Sequence, residues 1–349
     1  MKLHLLLAIN ATYIILIAAL TLLNRVGPDR FWMAALNFYL PQLIWALPGL
    51  LLAPLTFRYA RLWAMLPVAG ILWVLGPVMG WHWSWQPRSA VASGPVLRVM
   101  TWNIKYGNCD MTPLIAELRR SRPDIMLFQD APNIGRGPLT DYLSGWQVVN
   151  RGQYVVASRY PLSAVQLHEL PYQEEKGESF LRCVVRVGSR NISIYNVHFK
   201  TPRWSLNAFR KASSGAWYIP QAVDLFEGNV QTRILQAERV AEFLGQERGD
   251  CIVAGDFNSP DQSLVCEIIR RAGFVDAFTQ SGRGYGYTYG HNVLQYRVPS
   301  IRASWMRIDH IMTTSGLKAQ RCWVGTRQAS DHRPVTAEFL LANLRRTLQ

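Results

Sequence analysis

The sequence predicts an α/β domain carried behind an N-terminal helical membrane module. Three observations predict it. The first ninety-odd residues hold three apolar stretches and almost no acid, Asp29 being the only one before Asp110. From Val96 onward, short apolar runs of strand character alternate with segments of helical periodicity. Several of those runs end in Asp, Asn or His, the side chains that carry acid–base and metal chemistry.

The apolar stretches cover residues 5–23, 33–57 and 62–81. Each approaches the roughly 20 residues a helix needs to cross a bilayer, so three spans are expected in a module over residues 1–85. Basic turns at 24–30 and 58–61 separate them, and Pro41, Pro48 and Pro54 kink the second, which membranes tolerate. Lys2 ahead of an apolar run also suits a signal peptide. The run is long, however, and no small-x-small site followed by a polar segment precedes Arg25, so an uncleaved helix is expected. Trp81-His82-Trp83-Ser84-Trp85 suits the headgroup layer, where an indole is apolar over its body and donates one hydrogen bond. Residues 86–95 then read as a linker whose reach is at most roughly 35 Å, which keeps the following domain near the bilayer. Lys2, Arg58, Arg61 and the amino terminus on one side slightly outweigh Arg25, Arg30 and Arg88 on the other. That bias places the N-terminus in the cytoplasm and the C-terminal domain on the extracytoplasmic side of a bacterial inner membrane.

Within the C-terminal domain, residues 111–120 and 231–244 have helical spacing, and Ser259-Pro260 opens a helix over 261–271. The runs that carry polar residues are Thr101-Trp102-Asn103 after 96–100, Gln129-Asp130 after 123–128, Asn196-Val197-His198, Gly255-Asp256-Phe257-Asn258 after 251–254, Arg307-Ile308-Asp309-His310-Ile311, and Ser330-Asp331-His332. An acid and an amide at i, i+2, as in Asp256 and Asn258, share one side of an extended segment and can both face a phosphate. Asp331-His332 puts a hard oxygen ligand beside an imidazole that titrates near neutral pH. Together the runs point to metal-assisted hydrolysis of a phosphoester.

In content and order these six motifs resemble the endonuclease/exonuclease/phosphatase superfamily, which includes DNase I-like nucleases, inositol phosphatases and bacterial sphingomyelinases. The resemblance covers residues 96–341 and implies a four-layer α/β sandwich, two central sheets face to face with helices outside, over a catalytic domain at 96–342. It implies that Asn103 and Asp130 hold a divalent metal, Mg²⁺ or else Mn²⁺, with Asp331 close by. Asp256 would orient or deprotonate the attacking water, Asn258 would donate to a phosphate oxygen, and His198 would contact the phosphate or protonate the leaving oxygen. His332 would be the base or the phosphate-binding imidazole, held in orientation by Asp309. One position departs from the pattern: the family usually has Gln-Glu where this chain has Gln129-Asp130, one methylene shorter, which bears on metal affinity.

The net charge of +14 suits an anionic partner, whether nucleic acid, headgroups or a phosphorylated lipid. The five cysteines form no CxxC pair or zinc pattern; Cys183 and Cys251 lie in apolar strands as buried thiols, and Cys109 has no assigned role. Residues 199–230 form a connection longer than a strand–helix loop needs, with Arg203, Trp204, Phe209, Arg210, Lys211, Trp217, Tyr218 and Phe226. Such a mixture dips into headgroups, stacks on bases or covers a small core of its own. A second loop over 281–295, rich in Gly and Tyr, precedes Asp309 as a rim of the site, with Thr288 and Tyr289 packing there. Three readings follow: a membrane-anchored phosphoesterase acting on a lipid-linked or headgroup phosphate, a DNase I-like nuclease, and a catalytically dead binding module. The motifs keep a carboxylate at every acidic position, against the third. The membrane tether favours lipid phosphate over nucleic acid.

Overall fold

Prolines decide how the first eighty residues fold. In the computed structural model, which describes residues 2–26, 28–84, 95–105, 111–131, 137–172, 177–212, 215–290, 303–326 and 329–341, the first apolar stretch is one helix, α1 (Lys2–Val26). The second is broken. It consists of α2 (Trp32–Asn37), a 3-10 turn (Gln42–Ala46) begun by Pro41, and α3 (Leu47–Tyr59), which opens on Pro48. A proline has no N–H to continue a helix and clashes with the preceding turn. Thirteen residues of α3 rise about 20 Å, short of the roughly 30 Å hydrocarbon core. The third stretch is helical across residues 61–78, with α4 (Met65–Trp73) at its centre. Among the described residues, two helices are therefore long and apolar enough to cross a bilayer, Leu3–Val26 and Arg61–Val78, where the sequence suggested three spans.

The chain divides into two units, Met1–His82 with Gln262–Leu264, and Trp83–Asp261 with Val265–Gln349. In the first, Tyr13, Ile17, Leu20, Ala46, Val74 and Val78 bury one another, and Tyr13 fits only because a Cβ at Gly70 would lie 2.4 Å from its ring. Polar pairs join the helices, Asn10 Nδ2 to Thr56 Oγ1 (2.9 Å) and Trp73 Nε1 to Thr21 Oγ1 (2.9 Å), while Leu5, Ile15, Leu16 and Leu22 face outward.

After a short strand β1 (His82–Trp83), the second unit is built on β2 (Val96–Asn103), β3 (Ile125–Gln129), β4 (Gln147–Arg151), β5 (Tyr154–Ser158), β6 (Leu162–Leu170), β7 (Glu178–Val187), β8 (Arg190–His198), β9 (Asp250–Asp256), β10 (Val275–Asp276), β11 (Arg283–Gly284), β12 (Asp309–Thr313), β13 (Ala319–Val324) and β14 (Val335–Leu340). One six-stranded sheet has the order β13-β14-β2-β3-β5-β4, the other β10-β12-β9-β8-β7-β6. Each contains a single parallel pair, β2 with β3 and β8 with β9. Period-two alternation builds the layers. Leu97 and Val99 of β2 join Leu181, Cys183, Ile194 and Ile252 in the core between the sheets. Met100 and Trp102 turn the other way, onto Leu114 and Leu118 of α5 (Met111–Ser121) and Leu139 of α6 (Pro138–Tyr142). Outside the second sheet, Phe180 meets Phe243 of α8 (Ile219–Leu244) edge-on at 5.3 Å. Helix, sheet, sheet, helix is the expected sandwich. Cys183 and Cys251 are buried thiols, as expected, with Cys183 pushed up to about 12 by burial. Cys109 and most of the linker lie outside the described residues.

The long connection after His198 is helical rather than a loop: α7 (Arg203–Ala212) packs on α8, which begins twelve residues before the periodicity suggested. The helix expected over 261–271 starts later, as α9 (Leu264–Arg271), and α10 (Ala277–Ser281) follows β10.

Candidate active site

Strand register brings the polar strand ends together. Asn103 closes β2 opposite Gln129, the residue before Asp130. In the other sheet His198 closes β8 opposite Asp256, and Asp309, first in β12, pairs with Asp256 from the far side. Because β14 runs antiparallel to β2 with Val335 opposite Thr101, the residues just ahead of it, Asp331 and His332, lie beyond the Asn103 end. The site thus sits at the carboxyl ends of both parallel pairs, where α/β sheets commonly place ligands. Glycine is needed immediately before Asp256: Gly255 has φ +151, and a Cβ there would lie 1.8 Å from the Val197 carbonyl oxygen.

Asp256 Oδ2 is the meeting point. Asn103 Nδ2 donates to it at 3.1 Å, and His198 Nε2 and His332 Nε2 stand 3.5 Å and 3.6 Å away. Asn103 Nδ2 also reaches Asp130 Oδ2 at 3.3 Å, and Asp130 Oδ1 lies 3.5 Å from His198 Nδ1. Asp130 adopts φ +48, a left-handed conformation that Asp tolerates better than most residues. His332 Nδ1 faces both Asp309 oxygens, at 3.0 and 3.2 Å, and this fixes its ring. Asp331 pairs with Lys105 Nζ at 3.1 Å.

Asn258 departs from the expected geometry. The i, i+2 pair does not share an extended segment, because β9 ends at Asp256 and Asn258 turns into φ +48. Its backbone N–H donates to Asp256 Oδ1 (2.9 Å) and its Nδ2 to the Phe199 carbonyl (2.9 Å), so the side chain braces the turn after Asp256.

Burial pushes the Asp256 carboxyl up, against the pull of His332 and His198 and with the help of Asp309. Burial favours neutral His332, yet Asp309 and Asp256 overcome it and push the ring up to about 9. Asp331 is also pushed up by burial, but His332 and Lys105 hold it below the ordinary carboxylate range.

The donor set suits a hard divalent cation. Asp130 and Asp256 both meet the Asn103 amide at Nδ2, whose oxygen accepts from the Lys105 N–H, and among the described residues no lysine or arginine pairs with either of those acids. Asp256, Asp309 and His332 also place ligand atoms within 4.8 Å of one another, although Asp309 and His332 already satisfy each other. A second group, Asp261, Asp276 and His310, fits a cation poorly because Arg307 already neutralises it, with Nη1 2.9 Å from Asp276 and Nη2 2.5 Å from Asp261.

Several partners escaped the sequence reading. Gln153 Oε1 lies 2.7 Å from His198 Nδ1, Ser330 Oγ donates to the Asn103 carbonyl at 2.9 Å, and Gln129 Nε2 donates to Asn196 Oδ1 at 2.7 Å. Nothing local marks Gln153, which reaches His198 only through the fold. The expected rim is present in its described part: Tyr289 lies with its ring 4.7 Å from His332, and Thr288 Oγ1 accepts from the N–H groups of Ile308 and Asp309.

A sequence profile of the endonuclease/exonuclease/phosphatase family matches residues 100–332, the span that contains every candidate residue. No curated protein sequence matches the chain. Among solved structures, it is similar to an endonuclease/exonuclease/phosphatase from Beutenbergia cavernae DSM 12333, with 20% identity, a TM-score of 0.51, and 70% of this chain and 72% of that one covered. It is also similar to a 3′-5′ exonuclease (NExo) from Neisseria meningitidis, with 21% identity, a TM-score of 0.50, and 70% and 100% covered. At such identities the likeness is one of fold.

Proposed function

The chain belongs to the endonuclease/exonuclease/phosphatase family, whose members are metal-dependent phosphoester hydrolases, and from that premise we propose a membrane-anchored phosphoesterase that hydrolyses a lipid-linked or headgroup phosphate with activated water. A membrane module over residues 1–85 and a linker over 86–95 tether a catalytic domain over 96–342 to an inner membrane. The two apolar helices support the tether.

The observation that carries the reading is the meeting of Asn103, His198 and His332 around one Asp256 oxygen. Asp256 orients the water and takes its proton, a task that needs a positioned base. His332, fixed by Asp309, donates to a phosphate oxygen, and Asn258 holds the turn after Asp256 through the Phe199 carbonyl. His198, positioned by Gln153, contacts the phosphate or protonates the leaving oxygen. Asn103 and Asp130 would hold Mg²⁺ or Mn²⁺, with Asp331, paired to Lys105, close by; the ion supplies Lewis-acid charge against the anionic ester.

The detergent-purified protein, assayed with Mg²⁺ or Mn²⁺ on matched panels of phospholipids, polyprenyl phosphates and DNA, tests this. Turnover of a lipid phosphate, abolished by EDTA, is expected. Cleavage confined to DNA would transfer the function to the nuclease branch, for which the +14 net charge speaks. Sidedness follows from span parity: three spans put the catalytic domain across the membrane from the N-terminus, and two put it on the same side. Alkaline phosphatase fused after Gln349 is expected to be active where the broken middle stretch also crosses the bilayer, and inactive, with the domain in the cytoplasm, where Leu3–Val26 and Arg61–Val78 alone cross it.

A further inference from the structure

From residue 199 to residue 223 the chain carries Lys200, Arg203, Arg210 and Lys211 and not one acid. The described part of this stretch includes α7, a 3-10 turn (Ala216–Tyr218) and the first residues of α8. It is anchored from beneath: Phe209 packs edge-on against Phe226 at 5.8 Å, Asn229 Nδ2 donates to the Thr201 carbonyl at 2.9 Å, and Arg233 Nη1 to the Lys200 carbonyl at 3.2 Å. Its largest apolar side chains point away from that anchor. Trp204 is 79% exposed and Trp217 74%, and Tyr218 and Ile219 are exposed as well. Two tryptophans held in water on packed helical segments are unusual, because burial of such rings dominates core and interface energetics.

The hairpin also begins at the rim of the site. The Arg203 side chain is hydrogen-bonded to Tyr289, whose ring lies against His332, and its charge is felt at Asp331. A partner seated on the hairpin would therefore lie beside the site.

We propose that the α7–α8 hairpin is a docking surface for an anionic lipid bilayer, with Trp204 and Trp217 entering the headgroup layer and Arg203 and Arg210 facing lipid phosphates. Charge selects this occupant: a stretch, residues 199–223, with four basic residues and no acid meets an anionic surface, and indoles settle at the boundary between hydrocarbon and headgroups. Linker length adds to it, since the ten residues 86–95 reach at most roughly 35 Å. The inference extends the lipid-phosphate reading, and its test reads contact rather than turnover, so either can fail alone.

The full chain is reconstituted into nanodiscs of phosphatidylcholine, with or without phosphatidylglycerol, and backbone hydrogen exchange is followed over residues 203–219. Exchange there is expected to slow several-fold in the discs with phosphatidylglycerol, with the amides of β9 unchanged. Trp204→Ser with Trp217→Ser is expected to abolish that slowing, and Arg203→Ala with Arg210→Ala to weaken it; exchange in β9 reports whether each variant is folded. Equal exchange in the two kinds of disc overturns the proposal. So does protection of the same amides by a single-stranded oligonucleotide and not by lipid, which would make the hairpin a nucleic-acid surface.

Discussion

Two carboxylate–histidine clusters hang from successive residues of one strand. Asp309 turns to His332, and the next residue, His310, turns to the opposite face, where Nδ1 lies 3.3 Å from Asp276 and Nε2 3.0 Å from the Ser259 carbonyl. Each cluster offers three ligand groups within 4.8 Å, so by composition they are twins. Arg307 separates them. It sits among Asp261, Asp276 and His310 and neutralises the acids there, whereas the Asp256 cluster has histidines and an asparagine in that role. A guanidinium always carries its charge and holds carboxylates in a fixed geometry. Imidazoles can release a proton, and an amide can turn its oxygen to a cation. One cluster is built to stay as it is, the other to exchange protons and ligands.

The largest effect should come from breaking the closed cluster. Arg307→Met takes the guanidinium from the buried Asp276 carboxylate and leaves it with His310 and Thr279, a loss of about 3–5 kcal/mol. The catalytic unit should then melt roughly 10 °C or more below the parent, followed by near-ultraviolet circular dichroism in detergent. Asp256→Asn in the same assay should shift the melt by only a few degrees. Equal melting of Arg307→Met and the parent would erase the distinction between the clusters.

The open cluster should respond in rate. Asp256→Asn and His332→Ala are each expected to lower kcat by at least about 10², with the unit still folded. Asp309→Asn should resemble a weaker His332→Ala, and the double variant should be far from additive, since the pair acts as one device. A His332→Ala enzyme with near-parental kcat would refute the assignment. Smaller still is the effect at Asp130, where the shorter acid replaces the family's usual glutamate: Asp130→Glu should bind Mg²⁺ at least as tightly as the parent, and Asp130→Ala much less tightly, by calorimetric titration. If Asp130→Ala kept the parental affinity, that carboxylate would not be a ligand.

The open cluster was legible in the sequence because its acids and imidazoles stand at strand ends, where an apolar run stops abruptly on a polar residue. The closed cluster was not: Arg307 and His310 stood in the run around Asp309, but Asp276 belongs to no motif and meets them only through β10 and β12 pairing. Gln153 stayed hidden for the same reason, reaching His198 from a hairpin 45 residues away. The sandwich followed from motif order. The α7 helix did not, because its exposed Trp204 and Arg210 blur the apolar periodicity that marks a helix packed on a core. The middle apolar stretch misled differently: hydropathy counts side chains, while Pro41 and Pro48 act on the backbone.

The comparison can be sharpened with pH alone. Burial would raise Asp276, but Arg307 and His310 outweigh it and hold the carboxyl well below the ordinary range. A carboxyl depressed in the folded state contributes stability that is complete above its unfolded value, about 3.9, and is lost as pH falls toward the folded one. Linkage places that loss at about 1 kcal/mol by pH 3. Asp256 has the opposite displacement, raised by burial, and so gives the fold no comparable stability to lose in acid. Denaturant midpoints measured between about pH 5 and pH 3 should therefore fall more steeply for the parent and for Asp256→Asn than for Asp276→Asn, which starts less stable and stays flatter. Parallel acid slopes for Asp276→Asn and the parent would mean that the Asp276–Arg307 pair does not hold its charge against protons, and the closed cluster would lose its claim to be fixed.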